Sequence, residues 1–490
     1  MSDPMSPMKT SLILTALLAT TLHAGTPSAP GNSPPRFPTI GPDYETPAAD
    51  AAPRYRNAQG STRQFSGGDW WNIFGDAQLT QMLDRLAANN LDIQAAMARI
   101  EQSRAVSGIA RSEFFPSITL SPGIQRTRNS ATQRVAGFPG PLPSATITTA
   151  TVPLDFGYEL DVWGRIRRNV EAADADLDSA WSAREALALT LRAELAATWF
   201  TLRTLDAQRG ILRETVGLRK ESLDLAQQRM KAGIGNDFDV ARAEAEVANA
   251  EAELGALAQR RPALENGLAV LLGTNPSRFA VAADLSWKGA PKVPAVPAGI
   301  PAQLLTGRPD VAAAERSLAA ASARIGVAKA AFLPVVKLGG QIGLLTGDSG
   351  ELFDKDSRTW AFGASFSLPM FDGGKNRASL TAAKSVAKEA RAKFEQAVLS
   401  ATADVETALG ALRALQTRGE AQHRAQASTA RGASLARERY KSGTSPYLDV
   451  LEAERSALNA QLAIAALNGE RLATTVQLIK ALGGGWSREK

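Results

Sequence analysis

Side chains able to do acid–base, nucleophilic or metal chemistry are few and poorly grouped in this 490-residue chain. There are two histidines, His23 and His423, and no cysteine. That excludes disulfides, thiolate metal sites, a cysteine nucleophile and a lipid-bearing cysteine. No H-E-x-x-H zinc pattern, phosphate loop or G-x-S-x-G nucleophile elbow occurs, so no enzyme, metal or cofactor is predicted. The carboxylates fall at helix-face spacing: Asp449 and Glu452 are three apart and share one face. A lone pair of this kind reads as surface charge. The excess of 55 Lys and Arg over 49 Asp and Glu is interleaved along helical tracts, as in "RAEAEVANAEAEL", so nucleic acid is not a predicted partner.

The elements that carry these carboxylates are built twice. "RMKAGIGNDFDVARAE" from Arg229 matches "RYKSGTSPYLDVLEAE" from Arg439, with Gly233 answering Gly443 and Asp239 answering Asp449 at an offset of 210 residues. Farther upstream, "LDIQAAMARIEQSRAVSGIARSEFFPSITL" from Leu91 answers "PDVAAAERSLAAASARIGVAKAAFLPVVKL" from Pro309 at an offset of 218. The first copy therefore carries about eight extra residues between Pro116 and Gly164. Each copy reads as helix, strand, loop, strand, very long helix, turn, helix. The long tracts, Gly164 to Lys231 and Gly374 to Lys441, are about 68 residues each, on the order of 100 Å as helix. Helices of that length need neighbours along their whole apolar stripe. Gly233 and Gly443 stand where a left-handed cap ends them, and Ser445 with Pro446 suits the N-cap and first position of the next helix.

The N-terminus points to export. Lys9 precedes the apolar run "SLILTALLATTLHA", which closes at Ala24 before a Pro/Gly/Ser segment, as in a secretory signal. Met8 is an alternative start. The chain divides into a signal peptide at 1–24, an extended segment at 25–68, a first repeat at 69–285, a Pro-rich linker at 286–301 and a second repeat at 302–490.

Four stretches alternate with period two. In "TATVPLDFGYELDVW", Val152, Leu154, Phe156, Tyr158, Leu160 and Val162 oppose Asp155, Glu159 and Asp161. In "TWAFGASFSLPMF", Trp360, Phe362, Phe366 and Leu368 oppose Thr359, Gly363, Ser365 and Ser367. Ile118, Leu120 and Ile124 form a similar face after Pro116, and Val336, Leu338, Ile342 and Leu344 after Pro334. Four long strands among several hundred helical residues leave no second sheet to cover the apolar face. In an exported protein such strands suggest an outer-membrane β-barrel. Four cannot close one, since the smallest use about eight and an open edge in lipid leaves backbone groups unsatisfied, so the chain must oligomerise.

Two repeats, the strand starts "FFPSITL" and "FLPVVKL", and the motifs "ELDVWGRIRR", "RPDVAAAE", "LPMFDGGK" and "ALGGGW" together resemble the TolC-like outer membrane factor family, in the branch serving resistance-nodulation-division efflux pumps. The resemblance covers nearly all of the mature chain. It implies an α+β membrane protein: a homotrimer in which each chain gives four strands to a twelve-stranded barrel in the outer-membrane lipid of a Gram-negative bacterium. The long helices would form a periplasmic α-barrel. It also implies a passive exit duct docked through a periplasmic adaptor with an inner-membrane transporter. Many relatives begin with a lipid-bearing Cys followed by P-x-Y-x-x-P; here the segment persists as Pro42, Tyr44 and Pro47 without the Cys, so no lipid anchor through Cys is expected. A type I secretion duct and an exported coiled-coil scaffold remain as alternatives.

By residue matching, the resemblance places the adaptor-docking tips at the Gly233 and Gly443 turns, with Arg229 and Arg439 beside them. It places a periplasmic gate at Asp449 and Glu452 as acidic rings, Leu448 as an apolar constriction, Arg455 as a basic neighbour, and Tyr440 with Asp239 as a hydrogen-bonded pair linking tips. Some relatives carry a latching Arg where this chain has Ser445, which puts that latch in doubt.

Overall fold

The computed structural model describes residues 38–48, 52–57, 68–128, 130, 132, 145–287, 296–299, 301–347 and 349–487. The signal segment, with its cleavage site and the Met8 start, and residues 288–295 and 300 of the linker lie outside the described residues.

The sequence folds as two matched runs. The first comprises α1 (Ala77–Asn89), α2 (Leu91–Ser112), β1 (Ser117–Leu120), β2 (Gly123–Arg128), β3 (Thr146–Leu160), α3 (Arg165–Lys231) and α4 (Asp237–Leu271). The second comprises a short α5 (Leu304–Gly307), α6 (Pro309–Ala330), β4 (Val335–Thr346), β5 (Arg358–Ser367), α7 (Lys375–Lys441) and α8 (Tyr447–Ala481). Both α3 and α7 have 67 residues, and every boundary of α7 and α8 follows that of α3 and α4 by 210 positions.

All strands among the described residues join one antiparallel sheet, with β3 and β4 central and β1/β2 and β5 at its edges. Its register keeps one parity on each face. Ile118 faces Phe156, Leu154 faces Ile342, and Ile342 faces Trp360, so the apolar residues of all passages make one continuous surface. Ile118, Ile342, Trp360, Phe362 and Phe366 are all exposed within the single chain. On the other face, Gln341 donates to Asp155 at 2.9 Å.

The first predicted strand is split. The Ser121 amide donates to the Pro153 carbonyl at 3.1 Å, but Pro153 has no N–H to return, and Pro122 has none either. The ladder lapses there and resumes in unchanged register, Leu120 facing Leu154 and Gly123 facing Thr151.

Packing lies along the helices. One core gathers Trp70, Trp71, Phe74 and α1 leucines against Trp199 and Phe200 of α3 and Leu472 and Val476 of α8. Asp76 caps α1 by accepting from Gln78 and Leu79 and also accepts from the Trp199 indole at 2.7 Å. A second core holds Tyr55, Leu318, Phe394, Val398 and Leu478. The N-terminal segment straps these helices together: Ile40 donates to the Trp163 carbonyl at 3.1 Å, Arg168 to Asp43 at 2.6 Å, Tyr44 to Glu315 at 3.0 Å and Asn57 to Glu406 at 2.9 Å. Burial and the neighbouring Glu315 push the Tyr44 hydroxyl up to about 12. Among the described residues no helix is long and apolar enough to cross a membrane.

Candidate functional site

Running α3 and α7 to full length carries the chain about 100 Å from the sheet, where each turns back. The two turns use the same backbone device. At the first, Ile234 donates to Arg229 at 3.1 Å and Gly233 to Met230 at 3.0 Å; at the second, Thr444 donates to Arg439 at 2.9 Å and Gly443 to Tyr440 at 3.0 Å. Each pair is a Schellman cap, which needs a left-handed residue. Gly233 and Gly443 supply it with φ of 73° and 75°.

Side chains then separate the two turns. In the first, Asn236 caps α4 by accepting from the Asp239 amide at 2.8 Å, while Ile234 and Phe238 stand exposed. In the second, the expected Ser445 cap does not form. Pro446 occupies the N-cap in an extended conformation, α8 begins at Tyr447, and the Ser445 hydroxyl is buried with no hydrogen-bond partner among the described residues. Tyr447 is buried against Tyr440, ring centroids 5.5 Å apart. Burial first, then Glu454 and Glu246, push its hydroxyl up to about 12.

The structure brings several predicted residues together. Arg229 donates to the Tyr440 carbonyl at 2.9 Å and stacks on its ring at 4.8 Å. Burial raises the Tyr440 pKa, with Arg229 opposing and Asp239 adding to the rise; within the single chain no hydrogen bond joins Tyr440 to Asp239 among the described residues. Leu448, Asp449, Glu452 and Arg455 all lie exposed on the first turns of α8. Arg455 pairs with Glu246 and lies 4.0 Å from Glu452. Arg439 is exposed at the tip, its carbonyl accepting from the Thr444 and Ser442 hydroxyls. Residues that helix-face spacing missed are Glu246, Arg219, Tyr447 and the Arg437–Glu454 pair at 2.5 Å. Among the described residues no three His, Cys, Asp or Glu side chains come together as a metal site. The arrangement concentrates charged and apolar side chains at the end of the helical hairpins.

A sheet with an apolar face, continued by paired helices that reach far from it and end in matched turns, is the architecture of an outer-membrane channel chain. Residues 82–274 and 300–484 match the outer membrane efflux protein family, and the chain belongs to it. It is 32% identical to a probable efflux pump outer membrane protein, TtgC of Pseudomonas putida, over 91% of this chain and 92% of that one. It is 31% identical to outer membrane protein OprJ of Pseudomonas aeruginosa, over 91% and 93%. Among solved structures, the outer-membrane channel OprN superposes with a TM-score of 0.83 at 32% identity, covering 91% of this chain and 99% of that one. The open state of the Neisseria gonorrhoeae MtrE channel gives 0.81 at 29%, covering 92% and 99%. The protein is an outer-membrane exit channel for efflux.

Proposed function

We propose that three copies of this chain close a twelve-stranded barrel and a periplasmic helical duct, and that the duct passively conducts small molecules handed over by a periplasmic adaptor and an inner-membrane resistance-nodulation-division transporter. The observation that carries the reading is the pair of sheet edges, β1/β2 and β5, that meet no further strand among the described residues, on a sheet with a broad apolar face. Each edge is the complement the other lacks, and lipid cannot supply it. The tip turns at Gly233 and Gly443 present the adaptor with repeated docking points, six in a trimer, flanked by a groove between α3 and α7 lined by Glu221, Asp224, Gln228, Arg437 and Lys441. Asp449 and Glu452 form the gate, with Leu448 as its apolar part. On a three-fold axis their like charges concentrate cations and repel anions.

The absence of cysteine makes the test clean. Single cysteines placed at Thr119 of β1 and Ala361 of β5 are expected to cross-link chains into dimers and trimers in outer-membrane preparations, and the adaptor is expected to co-purify with the trimer. Monomers alone under oxidation would contradict the closed barrel.

A further inference from the structure

Glu246 of α4 is held by guanidinium groups from two other helices. Its side chain is 4% exposed, and that of Arg219, on α3, is 7% exposed. Arg219 donates to the Glu246 backbone carbonyl at 2.8 Å and lies 3.2 Å from its Oε2. The other cation, Arg455 on α8, reaches Oε1 with a side chain that is 47% exposed. These three charges are private to one arrangement of the duplicated fold: the positions 210 residues away hold Thr429, Ser456 and Ala245.

The two cations differ in what their departure would leave behind. Arg219 leaving the contact would strand its own buried guanidinium and leave the buried carboxylate to a half-exposed cation alone, which is unfavourable. Losing Arg455 would not, because Arg219 still compensates Glu246. Arg455 itself would move toward water and toward Glu452, already 4.0 Å away and one turn back on its own helix. One partner is fixed and the other is removable, which is what a reversible clasp requires.

We propose that Glu246, fixed by Arg219, is a positioning residue that clasps Arg455 and thereby holds the gate helix α8 against the α3–α4 hairpin. Transfer of Arg455 from Glu246 to Glu452 releases α8, and with it Leu448, Asp449 and Glu452, without uncovering an unpaired charge. The clasp rests on the reading of Asp449 and Glu452 as the gate.

The test is single-channel recording from the full-length protein in planar bilayers. Arg455→Gln is expected to raise open probability about threefold to tenfold, the effect of removing one half-exposed ion pair from a two-state balance, and Arg455→Lys to restore most of the closure. Glu246→Gln is expected to do the same, and the Glu246→Gln/Arg455→Gln double variant to exceed neither single change. Multiplying effects, or a Glu246→Gln that lowers thermal stability with unchanged gating, would overturn the clasp. If Glu246→Gln fails to assemble, Arg219→Leu/Glu246→Leu replaces the buried pair by apolar side chains, which buried pairs tolerate. In that background Arg455→Gln should be silent; a further rise in opening would overturn the proposal. Asp449→Asn separates the two readings. If it alters conductance while the clasp variants leave open probability unchanged, the clasp is wrong and the gate stands. If none of these changes alters conductance or open probability, the gate falls and takes the clasp with it.

Discussion

At Gly233 and Gly443 the chain reverses with nearly equal φ and the same two capping hydrogen bonds, yet the residues that follow do opposite things. The first turn leaves Phe238 61% exposed, with Arg242 stacked 4.2 Å above its ring. The second buries Tyr447 to 2%. Two residues past that tyrosine stands Asp449 and three further Glu452, both acidic; the matching residues of the first copy are Asp239 and Arg242, of opposite sign. Glycine and the cap geometry preserve the backbone of a duplicated turn, while side chains outside that geometry are free to diverge. A doubly acidic pair is available to the second turn only, and the apolar knob to the first.

The comparison can be broken most decisively at the buried tyrosine. Tyr447→Ala is expected to cost about 3–5 kcal/mol, as large-to-small core changes do, whereas Phe238→Ala stays within about 0.5 kcal/mol and weakens adaptor co-purification instead. Thermal unfolding of the solubilised protein measures both, and equal losses would erase the distinction. Next come Gly233→Val and Gly443→Val. Each forces a β-branched residue to positive φ at about 1–3 kcal/mol. Equal stability losses are expected, with export impaired in each substituted strain; normal export would argue against the docking role. A smaller effect is alkaline. The Tyr447 pKa is raised from 10 to about 12, so its contribution to stability is full below pH 10 and is lost as pH rises toward 12, because the unfolded chain ionises first. Tyr447→Phe should flatten the fall in melting temperature across that window. The smallest is Asn236→Ala, about 1 kcal/mol for a lost N-cap, with no counterpart at Pro446, whose side chain makes no cap bond.

Much of this was legible in the residues. Glycine placement marked both turns and the ends of both long helices, and period-two alternation marked the apolar face of the sheet. The interruption at Ser121 and Pro122 escaped because alternation follows side chains, whereas the break comes from a backbone N–H that Pro153 does not have. Ser445 resembled an N-cap until Pro446 took the extended conformation and moved the helix start to Tyr447. Glu246 escaped for another reason: its partners lie 27 and 209 positions away, and helix-face spacing reads one helix at a time, so a buried carboxylate passes for a solvated one. Arg229, matched as a tip residue, has its guanidinium on Tyr440 of the other hairpin, a contact only tertiary packing creates.

The central claim is that the second turn, and not the first, carries the gate. Conductance and block by multivalent cations in planar bilayers test it directly, comparing Asp449→Asn/Glu452→Gln with Asp239→Asn/Arg242→Gln. The gate assignment predicts higher conductance and weaker block for the first of these double variants and near-native behaviour for the second. Unchanged conductance in Asp449→Asn/Glu452→Gln, or equal changes in both, would contradict it.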